Sequence, residues 1–440
     1  MTQPNQNAPQ CPACGAFLLN GAGHTDQVNW WLDPASILPA DVTPMCLGLE
    51  PPAVEGFLRA FHIDSTEKVR VLSRTYGLAR HHLAPFILKV VVDMVEDLID
   101  AVAENPNVKI VFAGRDGFVL GFVLGALLPD FYARHCVAMY LPRPLVDAAL
   151  RELEDREGKT FPAAEPFRKR SAVPTDPGLA LRDLTMYFRL CGIEITAEGT
   201  EVRLVDSGLK GSIQEMLAAA YPLTTFSGHL MFFAASPKDP HPGSKRGYAL
   251  HLDPSHSNNG SALRGVLPGD PDRTFLHHEA IIAFESMISG SKSSPTTFGR
   301  SARPHARRHR HGERPIRGVD PALVAPEYAD PLVREAILAL NIMAIIHYAR
   351  DLAPTIIAAG PAWYESAENT RWYAELTARS NELRDQIRAW VGQSSSADPE
   401  LARLLDSFVP RTRDHRSGSA FGRQPDAIRE STKLSARTCP

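Results

Sequence analysis

Two short segments of the 440-residue chain carry residue types and spacings suited to phosphate chemistry. The first is Val111-Phe112-Ala113-Gly114-Arg115-Asp116-Gly117, where an apolar run delivers an Arg-Asp pair between glycines. With KIVFAG as a buried strand and FVLGFVLGALLPDF as the helix after it, Arg115 and Asp116 fall at a strand's carboxyl end, where parallel α/β sheets bind ligands. The helix N-terminus there favours an anion. A structural ion pair capping the turn would use the same two residues. The second segment is Arg203-Leu204-Val205-Asp206-Ser207-Gly208-Leu209-Lys210-Gly211-Ser212. Gly208 and Gly211 let backbone N–H groups approach phosphate oxygens, Ser212 caps the next helix or donates to phosphate, and Lys210 supplies a point charge. Asp206, at the strand end, suits ribose hydroxyls or the water shell of Mg²⁺. An N-capped strand-to-helix turn needs similar residues, so it is the two segments together that point to a phosphate site.

The remaining chemical signals are weaker. In HHEAIIAFESMISGSKSSPTTF, Glu279 and Glu285 are six residues apart on a helix and face different ways, so they do not form an acid/base pair. Glu285 either lines the same cleft or belongs to an ordinary helix with a polar C-terminal loop, and His277 and His278 are expected in solvent. Cys11-Pro-Ala-Cys14-Gly is half of a zinc ribbon, but completing it with His24 and Cys46 follows no standard spacing. Free thiols are the expected state, and zinc at Cys11 and Cys14 is not. Asp270-Pro271-Asp272-Arg273-Thr274 has the spacing of a phosphoaspartyl hydrolase motif, yet it follows Pro268-Gly269 in a polar loop rather than a strand, which makes the match fortuitous. The run from Arg300 to Arg317 holds seven Arg and three His. Without interleaved aromatics for base stacking, it reads as a solvated insert, and nucleic acid is not the expected partner.

The elements that must position these residues follow from composition and periodicity. Apolar residues make up 44% of the chain and charged residues 22%, values that support a buried core. A net charge of −3 argues against a protein that coats polyanions. Arg outnumbers Lys by 37 to 10, a skew typical of coding bias, so no single Arg carries weight by itself. Six scattered cysteines and a start without a basic or long apolar stretch predict a reduced, cytoplasmic protein. The longest apolar run, Phe118 to Leu128, is too short and too glycine-interrupted for a membrane span.

Residues 1–50 read as a weakly ordered leader, 51–392 as an α/β core with helical additions, and 393–440 as a partly disordered tail. Two polar insertions are expected within the core, 237–275 and 289–318. Ile87, Val90, Val91, Met94, Leu98 and Val102 mark an amphipathic helix ending at Asn105-Pro106. Strands KIVFAG, CVAMYL, VRLVD and HLMFFAAS alternate with helices, which predicts a mostly parallel, Rossmann-like sheet with a helical cover.

VFAGRDGFVLGFVLGALLP followed by LVDSGLKGSIQEML resembles type I phosphoribosyltransferases. That resemblance implies a phosphoribosyltransferase-like sheet, a phosphoribosyl diphosphate ligand and Mg²⁺. It assigns Arg115, Asp116 and Gly117 to pyrophosphate, and Asp206, Ser207, Gly208, Lys210, Gly211 and Ser212 to the ribose 5-phosphate and metal. The family's second loop has two adjacent acids before a threonine-glycine step, whereas here Ser207 replaces the second acid and Lys210 the threonine. Phosphate binding tolerates this departure better than transferase chemistry does. Over residues 74–350, the order FAGRDG, YLPRP with Arg143, VDSGLKGSIQ and a Glu285-containing segment is also similar to the module following haloacid-dehalogenase-type hydrolase domains in bacterial surface-polysaccharide proteins. Arg143 and Glu285 therefore join the candidates as supporting residues around the site. The expected function is binding of a phosphorylated ribose or nucleotide-like ligand, with Mg-dependent phosphoribosyl transfer as its catalytic form. Two alternatives stand beside it: a non-catalytic binding or regulatory module of the same fold, and a protein-partner-dependent component of glycan or natural-product biosynthesis.

Overall fold

The computed structural model describes residues 51–168, 179–253, 255, 261–290, 297–298, 302, 304–305 and 319–411. The Cys11 and Cys14 pair, His24 and Cys46, and nearly all of the Arg/His-rich insert lie outside these residues. Helices α1 (Pro51–Ala60) and α2 (Thr66–Leu78) lead through a π turn (Ala79–Leu83) into α3 (Ala84–Glu104), which is the predicted amphipathic helix. Next come β1 (Lys109–Ala113), α4 (Gly114–Leu127), α5 (Pro129–His135), β2 (Cys136–Met139), α6 (Arg143–Glu157) and α7 (Ala180–Leu190). The sheet continues with β3 (Glu201–Leu209), α8 (Ser212–Ala220), β4 (Thr225–Ala234) and β5 (Lys245–Leu252). Helices α9 (His278–Ile288), α10 (Pro331–Ile357), α11 (Arg371–Val391) and α12 (Pro399–Phe408) complete the described core.

The five strands run parallel in the order β2-β1-β3-β4-β5, which makes the fold α/β and Rossmann-like as the alternating pattern predicts. Side chains alternate across a strand, and in β1 this sends Ile110 and Phe112 into one apolar layer and Val111 and Ala113 into the other. The first layer is built with α3, α4, α9, α10 and α11, the second with α6, α7 and α8. Helix α10 is long and apolar enough to cross a membrane, but 72% of its most apolar window is buried inside the fold. Its Asn341, fully buried, donates to the Met287 carbonyl of α9 at 3.1 Å, so α10 serves as a core helix.

The structure corrects two boundaries. The expected polar insertion 237–275 contains β5, because the hydrophobic alternation that marks a strand is interrupted there by a register shift opposite Leu230 and Phe232 and by a charged first residue, Lys245. The expected tail from residue 393 contains α12, whose Leu401, Leu404, Leu405 and Phe408 are buried in the core. Asp398 caps that helix by accepting from the backbone N–H groups of Glu400 and Leu401.

Lys245 is fully buried and ties β5 to its neighbours. Its ammonium donates to Glu215 of α8, to both Asp239 oxygens at 2.9 and 3.0 Å, and to the His241 carbonyl at 3.1 Å. Glu215 also pairs with His241 Nδ1 at 2.8 Å. The side chains of Lys245, Glu215 and Asp239 have at most 1% of their surface exposed, so removing the cation strands two carboxylates in the interior. Lys245→Met is therefore expected to cost about 3–5 kcal/mol, read as a lowered urea midpoint with an unchanged slope. A cost below about 1 kcal/mol would show that the network contributes little.

Candidate functional site

From β1 the chain goes to β2 on one side, then crosses back to place β3 on the other. The strand order reverses at that point, which sets the carboxyl ends of β1 and β3 side by side, the position where α/β sheets commonly bind ligands. Arg115 and Asp116 occupy the first turn of α4, immediately after β1, where Asp116 is also favoured by the helix dipole. Asp206 lies near the end of β3, and Lys210 follows that strand. Arg143 opens α6 after β2, with Pro142 ahead of it and no side-chain cap. Glu285 enters from α9, outside the sheet.

Electrostatics link these residues. Asp116, Asp206 and Glu285 repel one another, and Arg115 and Arg143 act on Glu285 in the opposite direction. Burial among protein atoms, reinforced by the Asp116 charge, pushes Asp206 up to about 7. Burial, with Asp116 and Asp206 nearby, pushes Glu285 up to about 8. Asp116 is also raised, chiefly by burial, against the attraction of Arg115 and a hydrogen bond from Ser207. That bond runs from Ser207 Oγ to Asp116 Oδ2 at 3.3 Å, while Asp116 Oδ1 is buried without a hydrogen-bond partner. Lys210 is lowered by burial and by the neighbouring Arg143 guanidinium. Arg143 thus acts both on Lys210 and on Asp206 and Glu285, two members of a cluster of three carboxylates whose proton affinity is pushed up toward neutral pH.

The cluster offers hard oxygen donors of the kind that Mg²⁺ takes, and the orphaned Asp116 Oδ1 is one of them. The ligating oxygens of Asp116, Asp206 and Glu285 do not all come within 4.8 Å of one another.

The glycines have packing duties that their sequence context did not reveal. A Cβ on Gly117 would meet the Val205 carbonyl at 2.7 Å, so this glycine lets α4 lie against β3. Gly208 belongs to β3 and not to a loop; its φ is +108° and a Cβ there would meet the Phe232 carbonyl of β4 at 1.9 Å. Gly211, at φ +68°, forms the N-cap of α8, and a Cβ would meet Lys245 Cε at 2.5 Å. Ser212 is consequently the first helical residue and not the cap, which leaves α8 with no side-chain cap. The strand-end loop thus rests on the buried Lys245 network, a support that no spacing in the sequence signals.

Other expectations resolve differently. His277 is 1% exposed rather than solvated, and its Nδ1 accepts the Glu279 N–H at 3.3 Å to cap α9. Glu279 points away from Glu285, with Arg411 at 3.5 Å. Asp270 caps a short helical turn, Asp272 pairs with Arg384, and Thr274 donates to the Pro271 carbonyl at 2.7 Å, so the hydrolase-like spacing has a structural use. Comparison with protein-family models, curated proteins and solved structures finds no match to this chain.

Because Asp206 and Glu285 hold their protons more tightly in the folded than in the unfolded chain, their contribution is full below the ordinary carboxylate range and is lost as pH rises through about 7 and 8. Melting temperature should fall from pH 5 to pH 8, and Asp206→Asn should flatten that fall, raising the melting temperature at pH 8 by roughly 2 °C or more. An Asn variant with the parent's pH profile would contradict the burial of this carboxylate. Gly117→Ala should cost about 1–3 kcal/mol in chemical denaturation by prising α4 from β3.

Proposed function

We propose that the crevice between β1 and β3 binds a phosphorylated ribose or nucleotide-like ligand. The observation that carries this reading is the grouping of Arg115 and Arg143 with Asp116, Asp206 and Glu285 where the strand order reverses, with Lys210 beside Arg143. A lysine whose protonation is weakened by a neighbouring guanidinium gains from an anion beside it. The uncapped α8 N-terminus adds backbone N–H donors to the same end of the sheet. The carboxylates, on the β1 and β3 side, suit the ligand's hydroxyl groups, for which a shared proton among them is an advantage.

As a phosphoribosyl transferase, the protein would act by positioning and charge stabilisation. Arg115 would contact the leaving pyrophosphate, Asp206 the ribose hydroxyls, and Lys210 with Ser212 the 5-phosphate. Asp206 and Asp116 would hold the Mg²⁺ water shell, and the ion would supply neutralisation of the pyrophosphate charge. A non-catalytic binding module is favoured by one detail: Ser207 stands where the resembling family carries its second acid, and its hydroxyl is spent on Asp116.

Thermal-shift measurements with phosphoribosyl diphosphate, nucleotides and sugar phosphates, with and without Mg²⁺, test the reading, since a ligand of the native state raises apparent stability. A phosphorylated compound should raise the melting temperature. Arg143→Ala and Lys210→Ala should each weaken binding about tenfold or more, the loss expected for a charge-assisted hydrogen bond. No shift with any phosphorylated compound, or shifts untouched by both substitutions, would overturn the assignment. Pyrophosphate release in the presence of an acceptor separates transferase from binding module.

A further inference from the structure

Away from the strand-end crevice, His81 and His82 stand on the π turn between α2 and α3. Consecutive residues of an α-helix point about 100° apart and do not face each other. On this turn, where an extra residue loosens the helical repeat, the two rings instead meet edge to face, with centroids 4.6 Å apart and planes at 88°. Glu382 of α11 approaches from the side, its Oε1 3.5 Å from His81 Nε2. One ligand atom from each of His81, His82 and Glu382 lies within 4.8 Å of the other two, and no other group of His, Cys, Asp and Glu among the described residues does this.

The donor set is specific. Two imidazoles and one carboxylate form the protein side of open zinc centres, whose fourth position takes water. Imidazole nitrogen prefers such borderline ions to Mg²⁺ or Ca²⁺, which take oxygen. His82 is 5% exposed, and its ring meets that of His81 edge to face. An ion pair between His81 and Glu382 would account for those two residues but would leave His82 unexplained.

We propose that His81, His82 and Glu382 form a binding site for a borderline divalent transition-metal ion such as Zn²⁺, which clamps the π turn to α11 and leaves a coordination position open to solvent. Bonds of about 2.0–2.1 Å in a tetrahedron require the ligand atoms to close to roughly 3.3 Å of one another. The His81 and Glu382 side chains, 45% and 41% exposed, have the freedom to do so. Arg379 Nη1 lies 3.0 Å from His81 Nε2 and 3.5 Å from Glu382 Oε2. This exposed guanidinium swings outward as the ion takes its place beside the carboxylate.

The test uses the full chain carrying Cys11→Ser, Cys14→Ser and Cys46→Ser, so that thiols near the N-terminus do not compete for zinc. Zn²⁺ is titrated against a chromogenic chelator, and melting temperature is recorded with Zn²⁺ and with Mg²⁺. The expected result is a single zinc equivalent, a rise in melting temperature with Zn²⁺ and none with Mg²⁺ through this site. His81→Ala and Glu382→Gln, both at exposed positions that tolerate substitution, should each weaken zinc binding at least about tenfold. His82→Ala should abolish it, with circular dichroism confirming that the variant is folded. Absence of zinc binding by the thiol-free chain, or binding unchanged in both His81→Ala and Glu382→Gln, overturns the proposal.

Discussion

Pairing β3 directly beside β1, after β2 has taken the other edge of β1, is the constraint on which the rest of the molecule depends. It makes the chain reverse its direction of sheet growth, and at such a reversal the two strand ends lie side by side with their connections leading away from each other. The residues after each strand must then serve two purposes. They turn the chain into a helix that packs tightly on the sheet, and they present polar groups to the crevice. Gly117 and Gly208 serve the first purpose by admitting the Val205 and Phe232 carbonyls, while Asp116 and Asp206, their near neighbours in sequence, serve the second.

This arrangement concentrates charge at a site walled by apolar layers. Asp116 raises the proton affinity of Asp206, both raise that of Glu285, and Arg115 and Arg143 offset only part of that cost. Such a cluster is costly to fold with every acid ionised, because poorly solvated like charges repel. The Lys245 network beneath the loop shows the contrasting solution: there a buried cation is matched directly by Glu215 and Asp239, and the charges contribute to position rather than to reactivity. The two clusters are joined by the short connection from β3 to α8, since Gly211 packs on Lys245 while Asp206, earlier in β3, belongs to the carboxylate cluster.

The helical layers have a different logic. The α3, α9, α10 and α11 helices are held by burial of apolar surface, with Phe86, Phe232, Phe275 and Phe284 in mutual ring contact between sheet and helices. Within that layer the buried Asn341 amide donates to the Met287 carbonyl. This packing carries Glu285 to the crevice, because α9 is wedged between the sheet-side helices and α10.

The alternation of strands and helices, the parallel sheet and the two strand-end segments were legible in the residues because hydrophobic periodicity and glycine placement are local properties. Arg115, Asp116, Asp206 and Lys210 could be named from spacing alone, since each sits beside a strand end whose apolar run announces it. Strand β5 and helix α12 were not legible: a bulge, Gly247 and a buried lysine break the pattern of the first, and a polar neighbourhood conceals the second. Tertiary structure alone decided that Glu285 faces Asp116 and Asp206, that His277 is buried, and that the glycines are demanded by carbonyls and a lysine from distant strands. Those outcomes depend on contacts between residues far apart in the chain, and neither periodicity nor local spacing carries information about which distant surfaces will meet.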